Sequence, residues 1–396
     1  MPTHKTKNRF DIIVIGGGPA GMMAAGRGAE RGAKVLLLEK TYRLGSKLLL
    51  TGGGHCNITN NANIDEMVAA FGKEGKFLYR ALTVFSNKDL IGFFESRGLK
   101  MRTEPDGRVL PASGRAEAVL AVLRAYLKAN KVTILHNNPV ESIKDMGAAK
   151  IIVATGGKSY PATGSTGDGY KMAKQAGHTI VPLSPGLSAL VSNSPFIKDL
   201  QGLTLKDIVI SVIIDGKKKE EEKGDLLFTH FGVSGPIILN LSGKIIDALS
   251  NKSKVELALN LHPEDFSFFG SKTVSQYFKK ILPASLSLVF EKIHSSILNK
   301  KCGTLSRQER ETIAGHLAAF KIAIIGSRPI EEATITRGGV SLKEINPRTM
   351  ESKLVKGLYF CGEILDLAGL TGGYNLQEAF STGYLAGESA AFAAIS

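Results

Sequence analysis

The 396-residue sequence has no tryptophan and only three cysteines, Cys56, Cys302 and Cys361. Three cysteines without CxxC spacing or a Cys/His cluster exclude a disulfide framework and a zinc-finger site. They fit a reducing cytoplasm. No window approaches the roughly 20 apolar residues of a membrane span, and the run Ile12 to Ile15 is too short for a signal-peptide core. A cytoplasmic protein with no membrane partner is therefore expected. There is no repeat at solenoid period and no low-complexity tract.

Acidic residues are the scarcer charge, 36 against 50 Lys and Arg, for a formal net charge of +14. Such an excess raises the question of a nucleic-acid partner. By region the charge is +6 over 1–60, +5 over 61–160, +1 over 161–260, +5 over 261–330 and −3 over 331–396, so no single basic stripe forms. Lys217 to Lys219 are followed at once by Glu220 to Glu222, as on a solvated hairpin tip. Nucleic acid is thus the less expected partner, and diffuse positive charge suits the attraction of anionic cofactors and substrates.

What is present is an ordinary globular composition, 43% hydrophobic and 22% charged, in a chain long enough for two or three domains. Its 44 glycines have no collagen-like period and so belong to turns, close packing or backbone held near a ligand. From Asp11 the run DIIVI reads as a buried strand, GGGPAG as a tight turn, and MMAAGRGAERG as a helix packed on a sheet; Lys34 to Leu38 is a second strand ending at Glu39. Helices are expected over about Lys88–Arg97 and Arg115–Ala129, and Lys150 to Val153 is another buried strand. From Ser188 the texture becomes alternating and β-rich, with hairpin signals at Asp215-Gly216 and Lys223-Gly224. From His262 to Phe320 it is helical, and Ser306 with Glu309 forms a capping box. After Pro329 strand texture returns, then a small-residue closing helix. The expected fold class is α/β: a doubly wound, Rossmann-like domain over 1–187 plus 331–396, an inserted antiparallel β-rich substrate domain over 188–260, and a small helical domain over 261–330.

Gly16-x-Gly18-x-x-Gly21 directly follows a strand and opens a helix, the context that separates a dinucleotide fingerprint from a chance match. Gly16 makes the turn, Gly18 admits a pyrophosphate to the backbone, and Gly21 lets helix and sheet approach; Pro19 and Ala20 complete the turn. The helix start offers N–H groups and partial positive charge to phosphate. Glu39, at the end of the next strand, suits the two hydroxyls of an adenosine ribose. These features specify an ADP-containing dinucleotide without choosing NAD or FAD.

The remaining motifs are GSKLLLTGGGHCNITN, ATGGKSYPATGSTGDGY, FTHFGVSGPIILNLS and ITRGGVSLKEINPRTMESKLVKGLYFCGEILDLAGLTGGYNLQEAFSTG. With IGGGPAGMMAA they make nearly the whole chain resemble bacterial FAD-dependent oxidoreductases of the aminoacetone-oxidase-like type, also called NAD(FAD)-utilising dehydrogenases, a group that includes a proposed bile-acid reductase. The resemblance implies FAD as cofactor and three domains. It implies Gly16, Gly18 and Gly21 at the pyrophosphate, Glu39 on the ribose, and Lys40, Lys47, Gly53, Cys56 and Asn57 alongside the cofactor. Ala154-Thr155-Gly156 and Gly362-Glu363 match two further FAD signatures, and Gly373, Asn375, Leu376 and Gln377 put a helix start near the isoalloxazine. The chain departs from the pattern at His55, where the family usually has Arg, at Glu378, where it usually has Trp, and between Val140 and Lys150, where a β-meander is shortened.

For the chemistry itself, His55 and His230 are the candidate proton-handling side chains. Tyr160 and Tyr374 are candidates to bound a substrate pocket. Arg337 suits either a substrate carboxylate or pairing with Glu331 or Glu332. Gly164 to Gly169 follows polar residues instead of a strand, so no second dinucleotide unit is visible. The expected function is hydride transfer between a small organic substrate and flavin N5. One form is an aminoacetone-like amine oxidase using dioxygen. The alternatives are an NAD(P)H-dependent reductase saturating an activated C=C, and a flavin-holding redox or RNA-associated module. No metal is expected.

Overall fold

A computed structural model describes residues 10–144, 146, 148–261 and 270–395. The chain forms two compact units. One runs up to Gly186 and resumes at Ile330; the other is Leu187–Pro329.

The first unit is built on a five-stranded parallel sheet, in the order Leu358–Phe360, Lys150–Val153, Ile12–Ile15, Val35–Leu38, Thr133–Leu135. The opening strand Ile12–Ile15 is buried throughout, as β-branched runs are in sheets covered on both faces. Gly16 ends it in a left-handed conformation, φ +106°, and a Cβ there would lie 2.4 Å from the Ala154 carbonyl oxygen. The opening helix Pro19–Glu30 follows, with Gly18 as an extended N-cap. Helices expected near Lys88 and Arg115 span Asn87–Glu95 and Ala116–Ala129. Ser86 caps the first through a capping box with Asp89.

The closing helix Tyr374–Ile395 packs along the opening helix. Two of its glycines set the distance. A Cβ on Gly383 would lie 2.3 Å from the Ala20 carbonyl oxygen, and one on Gly387 2.3 Å from that of Ala24. The two ends of the chain therefore meet backbone to backbone.

The second unit is a closed antiparallel barrel, in the order Thr204–Ile214, Lys217–Thr229, Gly232–Ser234, Leu190–Ser192, Phe320–Ser327, Val255–Asn260. Asp215-Gly216 is the expected hairpin turn. Lys223-Gly224 is not a turn: it lies inside the long strand Lys217–Thr229, where Gly224 has Ile237 of helix Pro236–Ser250 packed over it, 3.2 Å from a Cβ position. Glycine marks close packing there, beside a register shift in the ladder with Thr204–Ile214. Helices Val274–Ile281, Ala284–Ile293 and Arg307–Ala318 form an excursion between two neighbouring barrel strands and share one hydrophobic core with the barrel. Ser306 and Glu309 make the expected capping box. Part of the expected helical stretch, 262–269, lies outside the described residues, as do positions 145 and 147 of the shortened meander. No described helix is long and apolar enough to cross a membrane.

The helix–helix contact gives a sign test. Alanine is favoured over glycine in a helix by about 1 kcal/mol. Gly387→Ala is nevertheless expected to destabilise the protein by about 1–3 kcal/mol, because its methyl group meets backbone that cannot yield cheaply. Urea unfolding monitored by circular dichroism reads the difference; a stabilised variant would contradict the contact.

Candidate functional site

The site lies at the carboxyl ends of the parallel strands in the first unit. The first-turn N–H groups of the opening helix have no intrahelical acceptor. Its N-cap makes no side-chain bond and its first turn holds no acid. A Cβ on Gly18 would meet nothing within 4 Å, so backbone is open to a ligand there. The arrangement is an anion cradle.

Glu39 stands beside it, 8% exposed. Its Oε2 accepts from the Gly17 N–H at 2.8 Å and its Oε1 from the Thr41 N–H at 2.7 Å. Two charge-assisted bonds orient the carboxylate and leave further lone pairs for hydroxyl donors. Lys40 turns elsewhere: its Nζ bonds Thr166 Oγ1 at 2.5 Å and Asp168 Oδ2 at 2.7 Å. That pair draws the second glycine-rich loop over the strand ends, and the lysine, with hydrogen bonds to Asp168, holds the Asp168 carboxyl below its usual range despite partial burial.

Between these segments two hydroxyls, Thr155 Oγ1 and Ser165 Oγ, are buried without a hydrogen-bond partner. Ser165 Oγ faces Gly156, 3.3 Å from a Cβ position, while Thr155 Oγ1 faces Gly169. Buried orphan hydroxyls are costly unless something else bonds them. Together with the open anion cradle and the oriented Glu39, they fit a bound dinucleotide. Ala154, Thr155 and Gly156 all belong to this strand end.

A second cluster centres on Glu363. Lys47 Nζ lies 2.7 Å and 2.9 Å from its two oxygens; Ser159 Oγ donates to Oε1 at 3.2 Å and the Thr336 N–H at 2.9 Å. Lys47 also bonds Ser159 Oγ at 2.7 Å. The carboxylate thus ties together the loop of Lys47, the loop after Lys150–Val153, strand Ile335–Val340 and the segment Gly362-Glu363. Ser159 and Thr336 carried no signal in the sequence, because their role exists only where four distant segments converge.

The loop that carries Gly53, His55, Cys56 and Asn57 contains a run of left-handed glycines at 52–54. A Cβ on Gly53 would meet nothing within 4 Å. His55 is exposed, and its Nδ1–H donates to the Gly114 carbonyl oxygen at 2.8 Å, leaving Nε2 as an acceptor. Cys56 is buried and its thiol is pushed up to about 12 by burial; burial raises the Cys361 thiol as well. Neither is a thiolate nucleophile at neutral pH. Asn57 Oδ1 accepts from the Val109 N–H. Tyr160 has a left-handed backbone, φ +53°, in the second glycine-rich loop. Arg337 faces Asp366, whose carboxyl is raised by burial and by Glu74.

At the start of the closing helix, Gly373 lies against Thr59, 2.4 Å from its carbonyl oxygen at a Cβ position, and Asn60 Nδ2 donates to the Gly372 carbonyl. Asn375 closes its own loop through Gly369 and Leu370, Leu376 is half-buried, and Gln377 Nε2 donates to the Phe85 carbonyl and to Ser381 Oγ. The Asn375 and Gln377 side chains therefore fasten the helix start in place. His230 belongs to the second unit, exposed on the turn between strands Lys217–Thr229 and Gly232–Ser234, with its ring edge-on to Phe231. Among the described residues no His/Cys/Asp/Glu group is arranged to hold a metal.

Fold and site define a Rossmann-like dinucleotide-binding protein, and its family relationship makes it an FAD-dependent oxidoreductase. More particularly, the chain belongs to the family described as HI0933-like protein Rossmann domain, matched over residues 10–389. It is 31% identical to a 3-dehydro-bile acid delta(4,6)-reductase of Clostridium scindens, over 96% of this chain and 98% of the relative. It is 28% identical to a ribosomal RNA dihydrouridine synthase of Escherichia coli, over 95% and 96%. Among solved structures it is similar in fold to the 3-ketosteroid delta1-dehydrogenase of Sterolibacterium denitrificans, with a TM-score of 0.54, 13% identity, and 97% and 99% of the two chains covered.

Glu39→Gln places an amide NH2 against a backbone N–H at one of two positions that now accept. FAD affinity is expected to fall about ten- to hundredfold, the effect of weakening one or two charge-assisted bonds. Fluorescence titration of FAD into apoprotein measures it; unchanged affinity would remove the carboxylate from the site.

Proposed function

We propose that the protein is an FAD-dependent reductase that saturates a carbon–carbon double bond conjugated to a carbonyl group. The observation that carries this reading is the full-length similarity to a delta(4,6)-reductase at 31% identity. The similarity to ribosomal RNA dihydrouridine synthases supports it, since dihydrouridine is uridine with its C5=C6 bond, conjugated to a carbonyl, saturated. FAD bound there would, once reduced by a nicotinamide, supply hydride from N5.

The chain's own residues bind and orient. The anion cradle and Glu39 hold the nucleotide end, and the Lys47–Glu363 cluster fixes the segments that border the other end. The start of the closing helix would offer N–H groups and a positive dipole end to the charge of a reduced flavin bound there. Exposed His55, with Nε2 free of the Gly114 bond, is placed to exchange a proton with solvent and a nearby group.

The first substrate reading is a small enone or dienone. A second reading, a uracil base within RNA, rests on the similarity to ribosomal RNA dihydrouridine synthases, to which a charge of +14 spread without a basic stripe adds little. Oxidation of an aminoacetone-like amine with dioxygen is the rival.

The discriminating experiment is anaerobic. NADH or NADPH is expected to bleach the flavin spectrum, and an enone or a uridine-containing RNA to restore it, with reduced product detected by mass spectrometry. Bleaching by amines, with no response to either nicotinamide, would overturn the reductase reading. Salt-dependent RNA retention decides between the two substrate classes.

A further inference from the structure

Glu378 lies in the second turn of the closing helix and is 3% exposed. Among the described residues no cation is paired with it. The groups that bear on it are the Glu363 carboxylate, the Thr382 hydroxyl and the Cys361 thiol, and the Lys47 charge is spent on Glu363 itself. Opening-helix residues packed against this part of the closing helix are small or apolar, including Ala20 and Ala24.

The hydrogen bonds around Thr382 give the buried carboxyl little support. Thr382 Oγ1 accepts from the Gly362 N–H at 2.9 Å. Its single proton has three candidate acceptors, the Glu378 carbonyl oxygen at 2.7 Å, Glu378 Oε1 at 3.3 Å and the Ala379 carbonyl oxygen at 3.5 Å. Thr382 Oγ1 is the side-chain donor to the carboxyl, at the long distance of 3.3 Å, so it favours the ionised form only weakly against the burial and the Glu363 charge that oppose it. Burial, then the neighbouring Glu363 charge, push the Glu378 carboxyl up to about 8. It is therefore mostly protonated at neutral pH, linked through Thr382 to the backbone N–H of Gly362.

We propose that Glu378 is a positioning residue whose carboxyl proton sets the reduction potential of the bound flavin. The inference rests on the reading that FAD lies against Gly362-Glu363 and the start of the closing helix. A flavin that accepts hydride gains negative charge, which the helix N-terminus favours. Un-ionised Glu378 leaves that positive end uncancelled, whereas ionised Glu378 sets a second negative charge beside Glu363. By linkage, a reduced flavin raises the proton affinity of Glu378 as much as the proton favours reduction. In alkaline solution, reduction then delivers two electrons and one proton to the flavin from a hydride donor, and one further proton passes from water to the Glu378 carboxylate. Reoxidation releases it.

The test is a spectroelectrochemical titration of FAD-loaded protein across neutral and alkaline pH, wild type against Glu378→Gln. The two potentials should run parallel in the neutral range. Above about pH 8 the wild type should fall more steeply, by about 30 mV per pH unit, the equivalent of one tenfold change in a two-electron equilibrium. Parallel lines throughout would overturn the role given to Glu378, while failure of the wild type to hold FAD would sink the cofactor reading instead.

A second readout needs no flavin. A carboxyl raised from 4.5 to about 8 contributes stability that is complete below the lower value and lost as pH rises through the upper one. The wild-type apoprotein should therefore lose thermal midpoint relative to Glu378→Gln between these pH values, and an equal pH response in both would count against the raised acid. If the Gln variant does not fold, infrared spectroscopy of the wild type decides. A buried carboxylic-acid C=O band that disappears above about pH 8 supports the proposal, and its absence at slightly acid pH overturns it.

Discussion

The site depends on one close approach, that of the closing helix to the opening helix. The carbonyl oxygens of Ala20 and Ala24 occupy the space where side chains at 383 and 387 would stand. Because glycine is there, the last helix lies on the first, and its start comes to rest against Thr59 and Asn60. Gly362, bonded to Thr382 of that helix, is thereby brought beside the nucleotide-binding turn; a Cβ on it would lie 2.7 Å from Ala20 Cβ. Had the helices stood a side chain apart, residues 362–378 would border no site.

Around this contact the electrostatics are divided into two clusters. At the nucleotide end, Lys40 is neutralised by Asp168, so the attraction for phosphate falls to backbone N–H groups, while Glu39 is committed to hydroxyl or N–H donors. At the other end, Lys47 neutralises Glu363, and among the described residues Glu378 has no counter-charge. A buried acid without a counter-charge holds its proton more tightly than an exposed one. The same arrangement that joins four loops at Glu363 thus also determines the state of Glu378.

Much of the first unit was legible in sequence because its signals are local. DIIVI, the glycine turn and the acid at the end of the next strand lie within thirty residues or so, and each has a physical reason at its own position. Helices at Asn87–Glu95 and Ala116–Ala129 followed from periodicity. Lys223-Gly224 was misread as a turn because a glycine signals either a bend or a close neighbour, and only the packed helix Pro236–Ser250 distinguishes them. The helices after 270 read as a body of their own, yet the antiparallel ladder between Val255–Asn260 and Phe320–Ser327 encloses them within one core.

The sequence alone determined the cofactor class and the family resemblance, since strand, glycine turn, helix dipole and acid act through backbone that neighbouring residues dictate. Tertiary structure decided which charges are spent and which are free. Ser159, Thr336, Lys47 and Glu363 come from four separate stretches of chain, and Glu378 is buried by elements far from it in sequence. Proton affinity depends on the dielectric and charges in space around a group, and residue order alone does not specify those surroundings.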